Sequence, residues 1–219
     1  MGLTRMNVES AGIESRAPVP FSERLFNTLF GLSALSWAVL GLTHSNDAER
    51  FSMVRISITA LNLCVGILFL IRGPLKKNGT TRAIIASLPS LLIAGFAVKL
   101  AAPLHRWPLP LELLFVAGTI IAIVAFLALG RSFALLPAVR TIVSGGPFRI
   151  IRHPAYAGEF FMVLACALSH PTLVAAWPAM AIGPFIIIRI IAEENVLKTD
   201  PNYQSYSEKV TWRLLPKVW

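Results

Sequence analysis

The sequence predicts an all-α fold, a polytopic membrane helix bundle of about six crossings that ends in a helical hairpin. Three observations lead there. Hydrophobic residues make up 55% of the 219-residue chain and charged residues 14%, with a mean hydropathy of +0.67. A soluble domain carries roughly a quarter charged residues, so this composition excludes a water-soluble globule and a disordered chain. Four separate apolar runs approach the ~20 residues that cross hydrocarbon, and a longer one follows them.

The elements follow in order. Residues 1–24 mix Arg and Glu and hold no apolar core beside a small-residue cleavage site, so they are expected to be a cytosolic segment and not a cleaved signal. The first crossing is read over residues 25–43. A polar stretch follows, in which His44 is read as solvated. The second crossing covers residues 53–71, with Arg55 near its end and able to snorkel. The Gly, Pro and charge content of residues 72–79 predicts a loop. The third crossing runs over 83–100 with a kink expected at Pro89. A Pro-rich link at 103–110 carries Trp107, expected at the membrane interface. The fourth crossing covers 111–130. The chain thus divides into N-terminal transmembrane helices over 25–110 and a C-terminal region over 111–219.

Residues 131–154 contain four arginines and the Gly145–Gly146 pair, with no apolar run able to cross. Phe160 to Ile188 then gives 29 residues without a charged side chain. As one helix this would measure ~44 Å, too long for one upright crossing. His170-Pro171 inside it reads as a turn, because proline disfavours helix at the residue before it. The prediction is therefore a hairpin, within residues 155–192, with arms at 155–169 and 173–192. The tail begins at 193.

Charge placement fixes the expected orientation. Six crossings put sixteen Lys and Arg, Arg189 at the end of the hairpin included, on the side of the N-terminus, the 72–82 and 131–154 loops and the tail, against four on the other. Positive residues concentrate in cytoplasmic loops, so both termini are expected in the cytoplasm. The same placement turns the net charge of +9 from a nucleic-acid signal into a topological one. Cys64 and Cys166 lie in apolar runs without metal spacing and read as packing residues, so no metal is expected.

Two clusters carry possible chemistry. The first is Gly145 to Glu159. Pro154 suits the first position of a helix, which places Arg152 and His153 at a helix N-terminus, an anion-binding geometry. The second is Arg189 to Glu194, in which Arg189 and Glu193 share a helix face while Glu194 points ~100° away. The hairpin brings both clusters and Glu159 to one membrane side. Polar groups inside a bilayer are costly, which makes such a set a candidate site. Spans one to four add little beyond Ser57 and Asn62. Cations and a helix N-terminus suit a carboxylate, and acids suit an amine, hydroxyls or a sulfonium. The arrangement fits a zwitterionic cytosolic cofactor that meets a lipophilic acceptor at the membrane surface.

The run Gly146-Pro-Phe-Arg-x-x-Arg-His-Pro-x-Tyr-x-Gly158, the His170-Pro171 turn, Arg189-x-x-x-Glu-Glu194, Tyr203-x-x-Tyr206 and Arg213-x-x-Pro216 resemble the isoprenylcysteine carboxyl methyltransferase family, which is related to membrane phospholipid methyltransferases. The resemblance covers residues 126–219. It implies an integral membrane methyltransferase that uses S-adenosylmethionine. It further implies a cofactor site of Arg152, His153, Pro154, Tyr156, Gly158, Glu193 and Glu194, with Arg189 and Arg213 orienting the acceptor or steadying the carboxylates. Tyr203 and Tyr206 would pack the tail over the pocket. Glu159 would act as acid–base group if the acceptor is an amine, since an ammonium must first lose its proton. The implied acceptor is a lipophilic small molecule, a lipid or a prenylated chain. Two other readings stay open. Sterol-type reductases share an Arg-His-Pro-x-Tyr-x-Gly-Glu run, although their second cluster reads Arg-Asp where this chain has Glu193-Glu194. A six-span transporter or regulatory protein would spread polar residues over several mid-bilayer helices.

Overall fold

The computed structural model describes residues 20–43, 47–170 and 172–219; the expectations for residues 1–19, His44 and Pro171 lie outside them. The elements are α1 (Phe21–Thr43), α2 (Asp47–Arg50), α3 (Met53–Ile71), β1 (Lys77–Asn78), α4 (Thr81–Leu100), α5 (Leu109–Leu129), β2 (Ala138–Val139), α6 (Pro154–Ser169), α7 (Leu173–Leu197) and α8 (Pro201–Lys209), with 3-10 turns at Leu104–Arg106, Gly130–Ser132 and Gly146–Arg149. Helices α1, α3, α4, α5 and α7 are long and apolar enough to cross a membrane, and α6 is shorter and apolar. The protein is an all-α polytopic membrane bundle.

Helix starts follow local chemistry. Ser52, Thr80 and Thr172 cap α3, α4 and α7 by accepting from the amides of Arg55, Ala83 and Ala175. Pro154 and Pro201 open α6 and α8, where a missing amide proton costs nothing. Helix α5 ends at Gly130, whose φ of 49° suits glycine alone among common residues. Helix α4 continues through Pro89.

Helix α3 packs on α1 and α5, α5 on α6, and α7 on α4 and α6. The buried stripe Ile182, Ile186 and Ile190 of α7 meets Val163 and Cys166 of α6 and Ile93 and Ala97 of α4. Large apolar side chains such as Trp37, Leu92 and Leu127 face outward, as a lipid solvent allows.

The hairpin of α6 and α7 is present, and its ends are fixed by long-range bonds. At its turn, Ser169 Oγ accepts from the Ala102 amide at 3.1 Å, beside the end of α4. At the opposite end, Arg152 before α6 meets Glu194 near the end of α7 at 3.0 Å. The two arms therefore enter and leave the bundle together.

Two expectations are corrected. Helix α7 runs to Leu197, beyond the predicted limit at 192, so Glu193 and Glu194 are helical and not part of a tail. The 72–79 segment is not only loop: β1 pairs antiparallel with β2, Lys77 opposite Val139 and Asn78 opposite Ala138. Trp107 packs inside the bundle, where its Nε1 donates to the Ala102 carbonyl at 2.8 Å and its ring meets Phe115 edge-on. Arg55 reaches Glu49 of the preceding polar stretch at 3.6 Å.

Candidate active site

The two clusters meet around a cavity of about 290 Å³ at the end of the bundle where α6 begins and α7 ends. Small-molecule sites start at roughly this size. One side is polar, with Arg152, His153, Tyr156, Glu159, Arg189 and Glu193 on its wall. The other side is apolar and comes from helices that carry no motif, Leu61 and Val65 of α3 and Leu91 and Ala94 of α4. Ala122 and Phe126 of α5 join the two sides.

Each polar group is held in a particular way. Arg189 is buried on α7, and its guanidinium donates to Ser90 Oγ at 3.0 Å, to Glu159 Oε2 at 3.3 Å and to the Leu135 carbonyl at 2.7 Å. It also lies 4.5 Å from the centre of the Tyr156 ring, a cation–π distance. Arginine suits this position because its planar fork can serve three acceptors at once. The Tyr156 hydroxyl donates to Glu193 Oε2, and its ring stacks on His153 with centroids 5.4 Å apart. Among the described residues, two buried polar atoms beside this wall have no hydrogen-bond partner: Glu159 Oε1 and Arg189 Nε.

Glu194 has a different surrounding. It is buried, and it accepts from Arg152 at 3.0 Å, faces His153 Nε2 at 3.4 Å and accepts from Arg213 Nε at 3.1 Å. Arg152 also donates to the carbonyls of Val210 and Ser207. The amides of Arg152 and His153 bond to the carbonyls of Trp212 and Arg213. The carboxylate thereby joins α7, the start of α6 and the tail at one point. Such a carboxylate with its full set of donors is a structural tie.

The remaining residues of the sequence-based site separate into two groups. The structure brings Arg152, His153, Pro154, Tyr156, Glu159, Arg189 and Glu193 to the cavity wall. Glu194 and Arg213 lie behind the wall, and Gly158 faces α5, where it packs on Gly118 and Ala122. Tyr203 and Tyr206 do line the cavity. The Tyr206 hydroxyl donates to the Phe148 carbonyl at 2.8 Å, and burial pushes its acidity to about 12. Burial first, and the nearby Glu194 carboxylate second, raise Tyr203 well above the ordinary tyrosine range.

Two residues that hold the site together were not found from the sequence: Arg140, and Ser90 beneath Arg189. Ser90 is buried in α4 and its hydroxyl was readable as a polar group within an apolar span. Arg140 had no such signal. It is buried, bonds to Glu23 at the start of α1 at 2.6 Å and to the Gly73 carbonyl, and so ties the 131–153 segment to two other elements. Among the described residues no three His, Cys, Asp or Glu side chains come together as a metal site would need.

Residues 112–203 match the phospholipid methyltransferase family. The match begins in α5 and ends at Tyr203, so it takes in α6, α7 and all six polar wall residues from Arg152 to Glu193. No curated protein sequence matches the chain.

Proposed function

We propose that this chain is an integral membrane methyltransferase that uses S-adenosylmethionine and methylates a lipophilic acceptor. One observation carries the reading. The polar wall that holds Tyr156, Glu193 and Arg189 continues without a break into an apolar wall from α3 and α4. A water-soluble cofactor and a lipid-soluble partner would thus share one cavity. The family match over 112–203 supports methyl transfer, and the motifs from Gly146 to Pro216 support the likeness to isoprenylcysteine carboxyl methyltransferases.

The residues present fit this cofactor by their donor and acceptor chemistry. Glu193 offers a carboxylate to an amine or ribose hydroxyls. Tyr203 on the same wall offers a further O–H. The stacked His153 and Tyr156 rings give a flat apolar face beside them. When bound, the sulfonium supplies an electrophilic methyl group, and the protein supplies position and field.

The protein residues then divide the work. Arg189 is fixed by Ser90, Glu159 and the Leu135 carbonyl, so its charge stays where an acceptor head enters from the apolar side. Glu159 Oε1 is free to take a proton from an amine acceptor, while a carboxylate or thiolate would need no base. Glu194, held by Arg152 and Arg213, keeps the wall in register. The positive-residue asymmetry supports a cytoplasmic position for this end of the bundle and for both termini.

The test is transfer of labelled methyl from S-adenosylmethionine by the purified chain in membranes, with label followed into protein, lipid and volatile fractions. Labelled product in any fraction is the expected result. No product, together with protection from proteolysis by NADPH and not by S-adenosylhomocysteine, would overturn the reading in favour of a reductase.

A further inference from the structure

A second cavity, of about 450 Å³, lies on the outer face of the bundle between the start of α4 and the end of α7. We propose that it binds an anionic phospholipid, with the headgroup phosphate held by Lys77 and Arg82 and an acyl chain laid along Ile188 and Ile191.

Four observations support this. Lys77 on β1 and Arg82 in the first turn of α4 both line the groove and are exposed. Neither has an ion pair or a side-chain hydrogen bond among the described residues. Among the described residues no carboxylate lines the groove, so none of them neutralises the two cations there. Arg82 moreover stands at the start of a 20-residue helix whose first turn has no acid, where a cation opposes the helix dipole. An anion seated between Lys77 and Arg82 answers both charges and the dipole.

The vertical order of the groove decides for a lipid over a soluble anion. Ile188, Ile191 and Asn195 follow one another at helical spacing along one face of α7, and all three are exposed. From Ile188 to Asn195 the helix rises ~10 Å. The groove therefore passes from aliphatic to amide to cationic over that length, which is the order of acyl chain, glycerol and phosphate. A free phosphate would use only the upper part. Cations at a membrane surface recognise anionic headgroups in this way.

The groove also touches the first cavity through a single ribbon. Lys77 and Asn78 line the groove, while Ala138, paired with Asn78 across the ribbon, lines the candidate active site. Beneath the groove, Ala83 and Val196 pack on Val139. A headgroup on Lys77 thus holds the strand that backs the cavity wall.

The experiment uses the full chain in nanodiscs of phosphatidylcholine, with or without phosphatidylglycerol, and reads lipid retained after extraction by native mass spectrometry beside the melting temperature. Wild type is expected to retain phosphatidylglycerol and to melt higher with it. The double variant Lys77→Gln/Arg82→Gln is expected to retain it on the order of tenfold less. Ile191→Trp, which fills the apolar wall and leaves both cations, is expected to lose retention as well. Lys209→Gln, an exposed cation outside the groove, is expected to stay within about twofold of wild type. Equal retention by the double variant overturns the proposal. So does an equal loss in Lys209→Gln, which would mean diffuse attraction, or an equal rise in melting temperature from inorganic phosphate in phosphatidylcholine discs, which would mean a soluble anion. None of these readouts requires methyl transfer.

Discussion

Glu193 and Glu194 are neighbours in the chain and serve different partners: Glu193 accepts from the Tyr156 hydroxyl on the cavity wall, and Glu194 accepts from Arg152 and Arg213 behind it. Successive residues on a helix diverge by ~100°, so a pair of adjacent acids reaches two surroundings at once. One faces the space where a ligand would lie. The other closes the protein around that space.

This division gives a first prediction. Glu194→Gln leaves the partly buried Arg152 and Arg213 short of a counter-charge and should cost about 2 kcal/mol of stability. Glu193→Gln keeps an acceptor for Tyr156 and should cost less than about 1 kcal/mol, while S-adenosylhomocysteine binding weakens by about tenfold. Thermal unfolding in nanodiscs and calorimetric binding measure the two quantities separately. The opposite pattern would assign the ligand to Glu194.

A second prediction concerns the seam between α5 and α6. A methyl group on Gly118 would come within 2.7 Å of the Gly158 carbonyl oxygen, and one on Gly158 would collide with the Gly118 carbonyl. Either Gly→Ala change should force the helices apart and cost about 1–3 kcal/mol. Gly95→Ala on α4 meets nothing within 4 Å and should be neutral or stabilising by a few tenths of a kcal/mol. Melting temperatures of the three variants in one detergent decide the matter.

Arg189→Lys supplies a third. The substitution keeps the charge but replaces a planar fork that now serves Ser90, Glu159 and Leu135. A displaced acceptor head should lower turnover by about a hundredfold. Circular dichroism and cofactor affinity should remain near wild type. A loss of cofactor affinity equal to the loss of turnover would move Arg189 to the cofactor side.

The fourth follows from Tyr206. Its acidity in the fold is pushed to about 12, against an ordinary value near 10. Below pH 10 both the folded and the unfolded chain keep the phenol proton, and the Tyr206 contribution is complete. Between pH 10 and 12 the unfolded chain releases the proton first, so stability falls as pH rises. The loss should reach about 2 kcal/mol at the upper end. Tyr206→Phe gives up the bond to Phe148 but should show a shallower decline across that window. Chemical denaturation at pH 9, 10 and 11 measures the slope.

Much of the fold was legible in the sequence because membrane solvent imposes a simple rule. Charge-free runs of the right length mark crossings, and the observed helix limits differ from the predicted ones by a few residues. The His170-Pro171 break and the charge asymmetry together gave the hairpin. What escaped was governed by partners distant in sequence. The end of α7 was set early because Glu193, Glu194 and Lys198 look like the start of a polar tail, whereas Arg152 and Arg213 allow Glu194 to be buried within a helix. The ribbon of β1 and β2 has two residues in each strand, too few for any periodic signal.

The site was legible in its polar half and not in its apolar half. Arg152, His153, Tyr156 and Arg189 stand out because charge and aromatic hydroxyls are rare in this chain. Leu61, Val65, Leu91 and Ala94 look like every other lipid-facing residue, and only packing selects which of them turn inward. Gly158 matched a motif, yet its lack of a side chain serves the approach of α5.

The bonds from Arg152 to Val210, Ser207 and Trp212 have a consequence for biogenesis. Those acceptors leave the ribosome after all of the described crossing helices, so insertion of the bundle and closure of its candidate site are separate events. A nascent chain halted before residue 207 would carry every described crossing helix yet lack the bonds that join its tail to the start of α6, and its candidate site would stay open.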